Sequence, residues 1–174
     1  MAAKRVAKQM NLSIDYICGD ARHLPFCNNS FDAVFSYSVI QHFSKRDAGQ
    51  AVTEIGGVLK PLGICLVQMP NYLGVRSLLH LARRKFAEGI GFEVRYWSIS
   101  ELRRTFASRI GPPEVTVHCF FGLGLELTDA HLMSRYVRWA VYISENLRKL
   151  SMKMPLLTRL ADSVYVKAVK QVES

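Results

Sequence analysis

Two apolar runs separated by one helix-length segment constrain this chain more than any other feature. FDAVFSYSVI, residues 31–40, and LKPLGICLVQMPN, residues 59–71, are each rich in strand-forming residues. Between them Ala48, Val52, Ile55 and Leu59 recur at helical spacing behind Ser44, a side chain suited to cap a helix N-terminus. A strand that is apolar almost without interruption suits burial on both faces, the situation in a parallel sheet. Parallel neighbours need a crossover, and a helix is the usual one. The pattern therefore predicts an α/β domain with right-handed crossovers.

The flanking segments extend this reading. AAKRVAKQM has the composition of a helix end, closed at Asn11, and LSIDYICGD alternates apolar and polar residues as a short strand ending at Gly19. The pair Gly56 and Gly57 should weaken the last turns of the central helix, and Pro61 with Gly63 should turn the chain into the next strand. NYLGVRSLLHLARRKFAEG reads as a helical excursion, making residues 71–92 a lid or insertion rather than a second domain. Ser98 or Ser100 should cap the helix ISELRRTFASRI, with Glu101 in capping-box register to Ser98. GPPEVTVHCFFG supplies a further strand, DAHLMSRYVRWAVYISENLRKL a long amphipathic helix, and DSVYVKAVK an edge or antiparallel strand. Residues 1–174 are expected to form a single domain.

Composition narrows the function classes. The chain has 174 residues, 49% hydrophobic and 21% charged, as a globular protein does. Its apolar runs fall well short of a membrane-spanning helix, and MAAKRVAKQMNLS lacks the apolar core of a secretory signal, so a cytoplasmic address is expected. Cys18, Cys27, Cys65 and Cys119 are widely spaced, with no ligand partners at metal spacing. They read as buried free thiols, and no metal site is expected. The net charge of +9 is scattered over helix-like segments without interleaved aromatics, the pattern of solvated helix faces rather than a specific nucleic-acid surface.

The stretch GDARHLPFCNNSFDAVFSYSVIQHF holds the candidate chemistry. A carboxylate followed at once by a backbone N–H offers an acceptor and a donor that complement the amine and ring nitrogen of adenine. Asp20 and Ala21 form such a pair, although an Asp at a turn also serves to cap backbone N–H groups. Ligands in open α/β sheets bind beyond the carboxyl ends of the strands, which brings in Ser36, Tyr37 and Ser38. With the following helix and EIGGVLKPLGICLVQMPN, this stretch resembles the second half of a class I S-adenosylmethionine-dependent methyltransferase of the small-molecule type. The resemblance runs from Met1 to about Asn71, and DSVYVKAVK resembles that family's final strand.

The resemblance implies a Rossmann-like sheet, mostly parallel with an antiparallel final strand. It implies that Asp20 takes the adenine amine, that the N–H of Ala21 takes a ring nitrogen, and that Ser36 and Tyr37 lie along the adenosine and methionine portions of S-adenosylmethionine. Gln41 and His42 would line the methyl-transfer face, His42 as a general base or as a packing and positioning group, and Tyr72 would line the acceptor pocket. The departures lie at the start of the chain. The family opens with a strand ending in an acidic residue and a GxGxG turn, and a second strand ends in an acid that holds the ribose. Neither is present, and no glycine precedes Gly19. The pairs Gly89-Gly91 and Gly122-Gly124 lack the third glycine and read as turns.

The expectation is a chain truncated by two strands and a helix. LSIDYIC would then pair directly with FDAVFSY, stay partly open, or need a partner. The function expected of the complete domain is methyl transfer to a small-molecule or lipid-like acceptor, with weak or no activity in this chain. The alternative is a non-catalytic remnant acting through protein contacts. The acceptor's identity and the oligomeric state are left open.

Overall fold

Ser44 caps the central helix as its side chain allows, its Oγ accepting the backbone N–H of Asp47 at 3.1 Å. The helix that follows, α2, spans Lys45–Val58 in the computed structural model, which describes residues 2–121 and 133–172. Ahead of it lie α1 (Ala2–Gln9), β1 (Phe31–Ser36) and a short 3-10 turn at Ile40–His42. After it come β2 (Leu59–Pro70), α3 (Val75–Arg83), α4 (Ile99–Ala107), β3 (Glu114–Cys119), α5 (Arg135–Ser151) and β4 (Ser163–Val169). Ser98, not Ser100, caps α4, and the reciprocal capping box with Glu101 is complete.

The strands form one sheet in the order β1-β2-β4-β3. β1 and β2 are parallel, and β4 lies antiparallel to both β2 and β3, so three strands share a direction and the last runs against them. The closing strand is therefore antiparallel but interior; β3 takes the edge. Residues 61–63 do not break β2. They bulge out of it, with Leu62 at a φ of 65°, and the register with β1 jumps from Phe31↔Leu59 to Ala33↔Ile64.

Strand alternation sorts the sheet into two unequal faces. Cys65, Val67 and Met69 of β2, opposite Ala168, Val166 and Val164 of β4, share one face and are all buried. Ala51, Val52 and Ile55 of α2 and Leu102 and Phe106 of α4 pack into the same core. Gly56 serves this packing rather than weakening the helix: a Cβ there would sit 2.7 Å from the Arg109 carbonyl oxygen. On the opposite face Phe35, Ile64 and Val169 are exposed, Phe35 by 62%. β1 is thus covered on one face, not two, and among the described residues only one of its edges is paired.

The expected strand at residues 12–18 does not form. Leu12, Ile14, Tyr16 and Ile17 are exposed, and the segment joins no ladder. Alternation makes a strand only where a neighbouring edge supplies backbone partners, and none lies alongside among the described residues. Of the arrangements left open by the sequence, direct pairing of LSIDYIC with FDAVFSY does not occur. The reading of the cysteines also needs correction, because Cys18 and Cys27 lie on this exposed side while Cys65 is buried and Cys119 half-buried. Burial pushes the Cys65 thiol up to about 11. A disulfide-exchange reagent should modify Cys18 and Cys27 promptly and Cys65 only on unfolding. Prompt reaction of Cys65 would contradict this packing.

Candidate functional site

Asp20 sits in a tight turn whose partner is local. Its Oδ1 accepts the Arg22 backbone N–H at 2.9 Å and Nε at 3.0 Å, while Oδ2 accepts Nη2 at 2.7 Å. Those bonds hold the carboxyl down at about 2, below the usual carboxylate range. The Arg22 guanidinium lies 5.8 Å over the Phe43 ring and 3.7 Å from Asp47, and the Leu24 N–H donates to the Glu54 carboxylate at 2.9 Å. These contacts bring the turn beside the segment that follows β1. The backbone N–H of Ala21 has no partner among the described residues.

At the carboxyl end of β1, Ser38 takes a left-handed conformation, φ 55°. Such a conformation is uncommon for a residue with a side chain, and hydrogen bonds hold it here. Its N–H and Oγ both donate to Oε1 of Gln68, each at 3.1 Å, and Gln68 Nε2 donates to Ser163 Oγ at 2.6 Å. Gln68 thereby ties the ends of β1, β2 and β4 together. A polar residue inside the apolar run GICLVQM was the signal for it, and sequence reasoning passed over it.

Beyond these strand ends opens a cavity of about 560 Å³. Tyr37, Ser38 and Gln41 line it from the β1 side, and Arg76, His80 and Arg83 from α3. Asp162 and Ser163 close its floor. Tyr37 meets the His118 ring edge-on at 5.6 Å. Asp162 is 4% exposed; its Oδ1 accepts the N–H groups of Arg76 at 2.7 Å and Ser77 at 3.2 Å, and its Oδ2 is buried without a hydrogen-bond partner among the described residues. Burial raises its pKa.

The other residues singled out from sequence lie outside this lining. His42 stacks on Phe92 with centroids 4.0 Å apart. Its Nδ1 lies 2.7 Å from the Phe92 carbonyl oxygen, which can only accept, and its Nε2 lies 3.3 Å from the Gln41 amide nitrogen. Nδ1 is therefore the protonated nitrogen, and Nε2 accepts from Gln41. Arg95 Nη1 donates to the His42 carbonyl and to that of Gly91, pinning the loop after α3 onto the 3-10 turn. Gly91 is at φ 57° in a turn, as expected of the first glycine pair; the second, Gly122-Gly124, lies outside the described residues. Tyr72 is exposed and donates its N–H to the Trp97 carbonyl at 2.8 Å. No group of side chains suited to a metal occurs among the described residues, and no helix among them is long and apolar enough to cross a membrane.

A family model described as a methyltransferase domain matches residues 1–67. The biotin biosynthesis bifunctional protein BioHC of Cellvibrio japonicus is 39% identical over 69 residues, which is 40% of this chain and 13% of that protein. Among solved structures, the complex of the Haloferax volcanii Trm112 methyltransferase activator with its methyltransferase contains a similar chain. The similarity has a TM-score of 0.59 at 19% identity, over 95% of this chain and 66% of that one. A SAM-dependent methyltransferase from Thermotoga maritima matches with a TM-score of 0.57 at 13% identity, over 96% of this chain and 68% of that one. The fold is the Rossmann-like fold of S-adenosylmethionine-dependent methyltransferases.

Proposed function

We propose that this chain carries the adenosine side and the acceptor side of an S-adenosylmethionine-dependent methyltransferase site, with a small-molecule or lipid-like acceptor. The observation that carries the reading is the unpartnered N–H of Ala21 next to the ionised Asp20, in a loop packed beside the segment that leaves β1. S-adenosylmethionine, when bound, supplies a sulfonium methyl group. The chain's own part is alignment: the Ala21 N–H orients the adenine ring, Ser36 and Tyr37 flank the adenosine, and the cavity holds the acceptor near the strand ends. Adenine's amine has to share Asp20 with Arg22, and Asp47 offers the guanidinium a second carboxylate once Nη2 lets go. His42, with both ring nitrogens engaged, fits a positioning role better than that of a free base.

The glycine-rich turn that holds the amino-acid end of the cofactor in this fold has no counterpart in these 174 residues. With that grip absent, we expect binding on the order of millimolar. Arg22→Ala should let the Asp20 pKa rise from about 2 toward about 3.9, followed by carboxyl NMR titration, and should leave adenosine binding unchanged or tighter. A weaker response to adenosine would count against Asp20 as its anchor.

A second reading, a non-catalytic protein acting through protein contacts, is favoured by one observation. The exposed Phe35, Ile64 and Val169 share the sheet face beside the β1 edge that no described residue pairs. It predicts no response to S-adenosylhomocysteine at any concentration.

A further inference from the structure

The acceptor cavity is charged in a way that the cofactor reading does not use. Arg76, His80 and Arg83 fall at i, i+4 and i+7 of α3 and so share one face, the face that lines the cavity. Arg76 is partly engaged, its Nη1 donating to the Phe121 carbonyl at 3.0 Å. The side chain of Arg83, an exposed residue, makes no ion pair or hydrogen bond among the described residues. Among the described residues the sole carboxylate in the lining is Asp162, and its Oδ1 is committed to the α3 N–H groups. What remains among the described residues is an exposed guanidinium in the wall without a counter-ion and a buried carboxylate oxygen, Oδ2, without a hydrogen-bond donor. A buried polar atom left unpaired costs free energy that a ligand group can recover.

We infer that the acceptor carries an anionic group, a carboxylate or a phosphate, gripped by Arg83, together with a hydroxyl or amine that donates to Oδ2 of Asp162. The inference rests on the reading of this cavity as the acceptor pocket. A planar guanidinium matches either anion in a two-point contact, and the two arms of the test below tell them apart.

The test is amide NMR titration of the chain with benzoate, 3-hydroxybenzoate, phenyl phosphate and neutral benzyl alcohol. The amides of His80, Arg83 and Ser163 should move with the anions, and benzyl alcohol should bind at least about tenfold more weakly, the scale of one charge-assisted contact. 3-Hydroxybenzoate should exceed benzoate, and the better of benzoate and phenyl phosphate identifies the anion. Arg83→Gln should abolish the preference for anions, Arg83→Lys should keep part of it, and Arg103→Gln, at an exposed position of α4 outside the lining, should change nothing. Equal binding of the neutral probe, or an unchanged preference in Arg83→Gln, would overturn the inference. Anion binding without any response to S-adenosylhomocysteine would overturn the cofactor reading alone; the converse would overturn this inference alone.

Discussion

Replacing Phe106 with alanine should destabilise the domain by about 3–5 kcal/mol, the range for truncating a fully buried aromatic side chain. Phe106 is 1% exposed, and it belongs to the single core that α2 and α4 build against Cys65, Val67 and Val166. The opposite face of the sheet leaves Phe35 and Ile64 in solvent, so no comparable second layer shares the load there. Domains have only about 5–15 kcal/mol of stability in total, so the variant should be largely unfolded at modest urea concentrations. Urea denaturation followed by circular dichroism gives the value. Phe35→Ala is the contrast: on the open face it should cost less than about 1 kcal/mol. Equal losses at the two positions would mean that the open face is covered in solution.

Asp162→Ala should cost about 1–3 kcal/mol, because it leaves the buried N–H of Ser77 and the part-buried N–H of Arg76 without an acceptor at the start of α3. Asp162→Asn keeps an oxygen for them and should lose much less. The two variants also differ from the native chain in pH dependence. Burial raises the Asp162 pKa, so its ionisation is harder in the folded state than in the unfolded one. Its contribution to stability is complete below the unfolded value of about 3.9. It declines as pH rises through the higher folded value. Asp162→Asn should remove that decline, seen as a flatter plot of stability against pH from about 4 upward. A plot as steep as the native one would exclude Asp162 as the titrating group. The seam tolerates little else: a Cβ on Gly74 would lie 2.4 Å from the Asp162 Cα.

The order of elements was legible because it rests on local rules. Ser44 and Ser98 cap their helices through hydrogen bonds within three residues, and the 3.6-residue spacing of Ala48, Val52 and Ile55 faces one core. The segment at residues 12–18 was misread because alternation specifies a strand only when an edge stands beside it, and that is a long-range fact. The same blindness put FDAVFS in a doubly covered position and Cys18 and Cys27 inside. At the site, sequence pointed to the turn at Asp20 and to the end of β1. It did not point to Asp162, 86 residues from the Arg76 N–H it accepts, nor to the α3 face that brings Arg83 to the cavity. Those residues carry no motif; only the pairing of Pro70 with Ser163 brings them there.

The most direct test of the account is amide NMR titration of the chain with S-adenosylhomocysteine, with adenosine in parallel. Both should shift the amides of Asp20 and Ala21 and those of Ser36 and Tyr37, saturating on the order of millimolar. Saturating ligand that leaves the Ala21 amide unmoved, or moves only amides remote from β1, would contradict the assignment of these residues to the cofactor's adenosine end.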